Sequence, residues 1–158
     1  MNNHNQTKGN SLSSIRTEKS AGFLIFKRNG TMRYLFLKIK GRFDVPKGLQ
    51  QPGEDDLTCA MRELKEETGI TNATIIPHFK KTSRYFYRWE NSLVKKEVVY
   101  FLAESKSGSI RVSEEHDGYT WMTKEEVLVN IRYQNLKELV EEADQIIRPK
   151  STAQPSNL

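Results

Sequence analysis

The sequence predicts an α/β sandwich, a mixed sheet accompanied by few helices. Three observations carry that expectation. Short runs rich in β-branched and aromatic residues recur along most of the chain. Two windows repeat apolar residues at helical spacing. One of those windows falls in mid-chain, with strand runs grouped on either side, so the elements do not alternate as strict β-α-β units. The length of 158 residues suits a single domain with one core.

The first strand is expected at Gly22–Lys27 (GFLIFK) and the second at Arg33–Ile39 (RYLFLKI). Asn29 and Gly30 supply the turn between them, since both residue types accept positive φ. A helix follows from about Asp55 to Thr68 and stops at Gly69, the residue type that tolerates the left-handed conformation after a helix end. Its Leu57, Ala60, Met61 and Leu64 form the stripe expected to pack on the sheet. Further strands are predicted at Thr74–Lys81, Lys96–Glu104 and Tyr119–Met122, then a short helix near Lys124–Val129. The last helix spans about Gln134 to Ile147, with Leu136, Leu139, Val140, Ala143 and Ile147 at helical spacing and Pro149 beyond it. Residues 1–20 and 149–158 are polar and hold too little apolar mass to offset ordering entropy, so disordered tails are expected to flank a domain at 21–148.

The formal net charge is +5, which invites a nucleic-acid partner. Its distribution removes most of that invitation. Residues 1–20 carry Lys8, Arg16 and Lys19 against Glu18, and residues 148–158 carry Arg148 and Lys150, so the body between them is nearly neutral. No apolar run approaches the roughly 18 residues that cross a bilayer, and no apolar segment follows the polar start. A soluble, cytoplasmic protein without a membrane partner is expected, and a monomer. The lone Cys59 has no internal partner for a disulfide.

The informative segment is GLQQPGEDDLTCAMRELKEETGI, residues 48–70. On a helix, Glu63, Glu66 and Glu67 stand at i, i+3 and i+4, so their carboxylates gather on one face beside the apolar stripe. Most such runs are solvated acidic faces. Here, however, Arg62 can grip a carboxylate by a forked hydrogen bond, and Glu54, eight residues earlier, is a partner that would tie the preceding loop to the helix. Gly48 and Gly53 let that loop turn tightly and bring backbone close to a ligand. All-oxygen clusters suit hard cations, so these carboxylates could hold Mg²⁺ against phosphate oxygens.

The spacing G-x5-E-x7-R-E-U-x-E-E-x-G-U, with U a bulky aliphatic residue, resembles the signature of the Nudix hydrolases. Gly48, Glu54, Arg62, Glu63, Leu64, Glu66, Glu67, Gly69 and Ile70 meet it without a departure. Seven fixed positions match by chance on the order of once in 10⁹ windows at ordinary residue frequencies. The resemblance implies the α/β/α Nudix sandwich, a requirement for Mg²⁺ or Mn²⁺, and attack of water on a phosphorus of a nucleoside diphosphate derivative. It also implies metal ligands at Glu63 and Glu67, with Glu66 as ligand or general base, and with Glu63 or a group outside the box as the alternative base.

Three further segments are similar to the asymmetrical diadenosine tetraphosphate (Ap4A) hydrolases within that family. They are FDVPKGLQQPGEDDLTCAMRE, the FKK pair followed by KEVVYFLAE, and SEEHDGYTWMTKEEV, together covering about 21–147. That likeness implies Glu115 as a fourth metal ligand reaching in from a remote loop, His116 beside it near the phosphates, and Lys47 as a phosphate contact. It also implies Tyr85 and Tyr133 as an aromatic pair around one adenine. Read by itself, the stretch Lys80–Lys96 mixes six basic residues with Tyr85, Phe86, Tyr87 and Trp89, a composition that suits base stacking and phosphate attraction. It equally suits an ordinary hairpin with cross-strand aromatics.

The expected activity is therefore Mg²⁺-dependent cleavage of a nucleoside polyphosphate, with Ap4A giving ATP and AMP. A second expectation keeps the chemistry and changes the partner to an RNA 5′ end, for pyrophosphate or cap removal along the basic aromatic stretch. A third, of another class, is a nucleotide-sensing module without turnover. The full set of box glutamates speaks against it, since sensing does not require every carboxylate.

Overall fold

A computed structural model of the protein describes residues 15–106 and 108–148. In chain order its elements are β1 (Arg16–Asn29), β2 (Thr31–Ile39), β3 (Arg42–Asp44), β4 (Lys47–Leu49), α1 (Asp56–Thr68), β5 (Thr74–Ile75), β6 (Lys81–Trp89), β7 (Ser92–Glu104), β8 (Gly118–Met122), α2 (Lys124–Asn130) and α3 (Gln134–Ile147).

The apolar run of β1 is the middle of the molecule. The strand folds back on β2 across Gly30, which takes the positive φ of +77° that the turn demands. Along its other edge it runs parallel to β7, from Arg16 opposite Val94 to Phe26 opposite Glu104. β4 pairs antiparallel with β1, β3 and β8 pair with β2, and β5 and β6 pair with β7, which makes one mixed sheet. Successive strand residues point to opposite faces. Ala21, Phe23 and Ile25 accordingly pack with Ala60 and Leu64 of α1, while Leu24 and Phe26 pack with Leu136, Leu139, Val140 and Ala143 of α3. A strand buried on both faces needs a continuous apolar run, and GFLIF is one. The sheet between helices is thus the α/β/α sandwich expected.

Four expectations need correction. Residues 16–20, assigned to a disordered tail, form the start of β1. They oppose Val94–Val98, and Glu18 accepts hydrogen bonds from Tyr87 (2.8 Å) and Lys96 (3.3 Å). A polar segment that is paired into the sheet has its ordering cost met by the ladder and by its charges. Ile15 precedes the strand and is exposed, and residues 1–14 and 149–158 of the expected tails lie outside the described residues. The strand expected over Thr74–Lys81 is only two residues long, because Pro77 has no N–H for a ladder and His78 turns the chain at φ +66°. The short strands β3 and β4 went unanticipated, since three residues carry no period.

The fourth correction concerns α1. Cys59, Ala60, Leu64 and Thr68 are buried, while Met61 is 51% exposed and Leu57 36% exposed. The helix is turned so that Glu63 and Glu67 share the inward side with Ala60 and Leu64. The boundaries themselves follow the local signals: Asp55 caps the first turn by accepting from Thr58 N at 2.7 Å, and Gly69 ends the helix at φ +76°. Among the described residues, no helix is long and apolar enough to cross a membrane.

Candidate active site

The site begins with one arginine. Arg62 on α1 donates from Nε to Glu54 Oε2 (2.7 Å) and from Nη2 to Glu54 Oε1 (2.9 Å), the forked pairing that its planar guanidinium favours. Its Nη2 also reaches the Leu49 carbonyl (3.0 Å), and Nη1 reaches Glu63 (2.8 Å) and Glu66 (3.2 Å). One cation therefore ties the loop at 49–54 to the helix and holds three of the box glutamates, Glu54, Glu63 and Glu66. The Arg62 bonds, helped by the Gln51 amide at 3.0 Å, lower the Glu54 carboxyl to about 2. Gly48 completes the fit. A Cβ at that position would lie 2.1 Å from the Glu63 carboxylate carbon, so any larger residue would displace that carboxylate from its place beside Arg62.

Glu67 sits on the inner side of α1, beneath β4. Its Oε2 accepts from the Lys47 backbone amide at 3.1 Å. Burial pushes its pKa up to about 8, and the nearby charges of Glu63, Asp44 and Glu115 push in the same direction. Glu115 is brought there by two backbone bonds that strap the loop to the end of α1: Arg111 N to Thr68 O (2.9 Å) and Ser113 N to Glu67 O (3.3 Å). His116, one residue on, is held by Ser113, whose Oγ lies 2.8 Å from His116 Nδ1. Glu66, by contrast, has a side chain 56% exposed and meets the cluster through Arg62.

This donor set fits a hard divalent cation. It is all carboxylate, burial and then the neighbouring charges of Glu63, Asp44 and Glu115 disfavour the ionised form of Glu67, and added positive charge would relieve that repulsion. Among the described residues no three such side chains form a ready cage. Glu63 is turned to Arg62 and Glu67 to the Lys47 amide, each holding a stand-in for positive charge.

Beside the carboxylates opens a cleft of about 710 Å³, between β3–β4, β6 and the start of α3. Lys47, Tyr85 and Tyr133 all line it, so three segments far apart in sequence meet there. Tyr133 accepts from Arg42 at 3.2 Å, and Asn135 donates to Ser83 at 3.3 Å across the cleft. Tyr85 and Tyr87, two residues apart on β6, present rings 6.4 Å apart. Lys47 belongs to both halves of the site: its amide holds Glu67 while its ammonium lies in the cleft, 3.0 Å from Asp44. Burial opposes the charge on Lys47, but Asp44 outweighs it and the pKa is raised. His116 is not among the residues lining the cleft.

Sequence reasoning missed Asp44, Arg42 and Asn135, and named Tyr87 only as one of the aromatics of the basic stretch. The spacing Asp44-x-x-Lys47 was a usable signal for the first, as the carboxylate and the ammonium lie on one short loop. Arg42 and Asn135 had none, because only the approach of β3 and α3 makes them neighbours of the tyrosines.

Comparison with known proteins identifies the family and the fold. The NUDIX domain model matches residues 15–148. The chain is similar to the asymmetrical bis(5′-nucleosyl)-tetraphosphatase of Mus musculus, 34% identical over 143 residues, which take in 82% of this chain and 95% of the mouse protein. Among solved structures it is similar to the C. elegans Ap4A hydrolase in a binary complex, with a TM-score of 0.73 and 28% identity over 82% of this chain and 97% of that one. A shorter likeness, 44% identical over 63 residues, relates 39% of this chain to 24% of the mRNA-decapping protein g5R of African swine fever virus.

Proposed function

The chain belongs to the NUDIX family and is a pyrophosphohydrolase acting on a nucleoside polyphosphate, and we propose that its substrate is Ap4A, cleaved to ATP and AMP. The observation that carries this reading is the double role of Lys47. It joins the buried carboxylates to a cleft that holds two exposed tyrosines, and the cleft volume of about 710 Å³ suits a ligand of nucleotide size.

In this reading Tyr85 and Tyr133 flank one adenine, and Lys47 and Arg42 attract the phosphates next to it. Glu63, Glu67 and Glu115, with Glu66 at the edge, would hold magnesium, or manganese in its place. Such an ion supplies charge neutralisation on bridging and leaving oxygens and lowers the pKa of a water. Arg62 keeps Glu63 and Glu66 oriented, and Gly48 leaves Glu63 its room. Glu66, half exposed, would accept the proton of the attacking water, with Glu63 as the alternative. The phosphorus then loses its bond to the departing nucleotide oxygen as the water oxygen bonds to it. We place the enzyme in the cytoplasm as a monomer.

A second reading is supported by β6 itself, where Phe86, Arg88 and Trp89 extend exposed beyond the cleft, and by the segment similar to g5R. There the polyphosphate would be an RNA 5′ end. Product analysis of the purified protein with Mg²⁺ over Ap4A, capped RNA, ADP-ribose and oxidised dGTP decides between them. ATP plus AMP as the fastest products supports the first reading. Faster release from RNA, steeply weakened by salt, replaces it with the second.

A further inference from the structure

Tyr100 on β7 is 1% exposed, and its hydroxyl oxygen is buried with no hydrogen-bond partner among the described residues. Leaving a buried hydroxyl unpaired is costly, and such groups are rare enough in native folds to call for a reason. The sheet register supplies one. Gly22 of β1 opposes Lys47 of β4 on one edge and Tyr100 of β7 on the other, and Lys81 of β6 opposes Tyr100 in turn. Opposed residues share a face. That face looks toward α3, since Tyr100 packs in the same cluster as Leu136 and Leu139, and Lys81 reaches Glu142 of α3 at 2.7 Å.

Gly22 is the gap in the row. A Cβ there would lie 2.5 Å from Lys47 Cβ and 2.3 Å from the Pro46 carbonyl, so only glycine lets the Lys47 side chain cross β1 toward Tyr100. The crossing is made: the Tyr100 hydroxyl, Lys47 and Asp44 lie close enough for each charge to act on the phenol, which burial raises to about 12. The ammonium is bonded to Asp44 at 3.0 Å and makes no hydrogen bond of ordinary geometry to Tyr100. An ammonium has three N–H donors. Asp44 takes one, and the cleft, where a phosphate would lie, offers a place for another.

We propose that Tyr100 is a positioning residue for Lys47: its hydroxyl oxygen accepts the third N–H when the ammonium turns to a substrate phosphate, and so fixes how deep in the cleft that charge stands. The proposal rests on Lys47 as the phosphate contact of the reading above. No bond is made or broken in this step.

The test is a double-mutant cycle of Tyr100→Phe and Lys47→Met, run with Mg²⁺ on the polyphosphate that the wild-type enzyme cleaves fastest, together with thermal melts. The expected result for Tyr100→Phe is a KM raised roughly tenfold with kcat kept within about twofold, as for loss of one hydrogen bond to a charged group. Its Tm should be unchanged or higher, because an unpaired buried hydroxyl has been removed, whereas a merely structural tyrosine would lower Tm. In the Lys47→Met background the same change should have no further effect on KM. Wild-type kinetics for Tyr100→Phe, or equal losses in both backgrounds, overturn the proposal. If Lys47→Met itself leaves KM unchanged, the phosphate reading of Lys47 falls first and takes the proposal with it. If Lys47→Met raises KM and Tyr100→Phe does not, only the proposal falls.

Discussion

The carboxylate segment and the aromatic cleft are adjacent but built on opposite plans. Residues 48–70 are one continuous piece of chain in which the four box glutamates are already paired: Arg62 holds Glu54, Glu63 and Glu66, and the Lys47 amide holds Glu67. The cleft wall comes from three remote segments, around residues 42–47, 83–87 and 133–136, and its tyrosines are half exposed with few bonds. The contrast teaches where precision is needed. Chemistry at phosphorus requires charges placed within a fraction of an ångström, and a single helix with its preceding loop can supply that rigidity. Recognition of a base is tolerant, because stacking has a broad optimum, so it can be left to whatever aromatic rings the fold brings together.

If that division holds, damage to the two regions should differ in kind as well as in size. The largest effect is expected for Glu67→Gln, which keeps the shape and removes the charge. The kcat should fall on the order of 1000-fold, as for loss of about 4 kcal/mol of metal-assisted stabilisation, with nucleotide affinity largely kept. Equilibrium binding beside single-turnover rates checks it, and a comparable loss of affinity would break the division.

Gly48→Ala comes next. The new Cβ would meet the Glu63 carboxylate at 2.1 Å, so either Glu63 or β4 must shift by an ångström or more. A drop in kcat of about 100-fold is expected from that displacement, with a fold that far-ultraviolet circular dichroism still reports as native. Activity near wild type would mean that Glu63 is not placed by the loop.

On the cleft side, Tyr85→Ala and Tyr133→Ala should each raise KM about tenfold, within the range of about 1–3 kcal/mol for one base stack, and leave kcat nearly intact. Tyr133→Ala also releases Arg42, so Tyr133→Phe separates the ring from its hydroxyl. Equal losses of kcat in either variant would erase the boundary between the regions.

The smallest effect concerns pH. Glu67 is raised to about 8 in the folded protein, above its ordinary carboxylate value. A raised folded pKa contributes stability that is present below the unfolded value near 4.5 and is lost as pH rises toward 8. Metal-free protein should therefore lose part of its stability from pH 5 to 8, and Glu67→Gln should lose less. Because the cation competes with that proton, apparent Mg²⁺ affinity should weaken about fivefold from pH 8 to pH 7. Melts and metal titrations across that range measure both, and a pH-independent Mg²⁺ affinity would show that Glu67 is not a ligand.

Much of this protein was readable from its residues, and the readable parts are local. Asp55 and Gly69 bound α1 where capping chemistry says they should, Gly30 makes its turn, and the spacing of Arg62, Glu63, Glu66 and Glu67 reads directly because i, i+3 and i+4 positions on a helix stay neighbours in any fold. What the linear chain leaves open is rotation and pairing. The apolar stripe named Leu57 and Met61, yet the tie from Arg62 to the loop turns α1 so that Cys59 and Glu67 face inward instead. The polar residues 16–20 became strand only because β7 was there to pair with them. The alignment of Lys47, Gly22 and Tyr100 arises from one antiparallel and one parallel ladder meeting at a glycine, and register of that kind is set by contacts between distant segments, whose energies no single stretch of sequence contains.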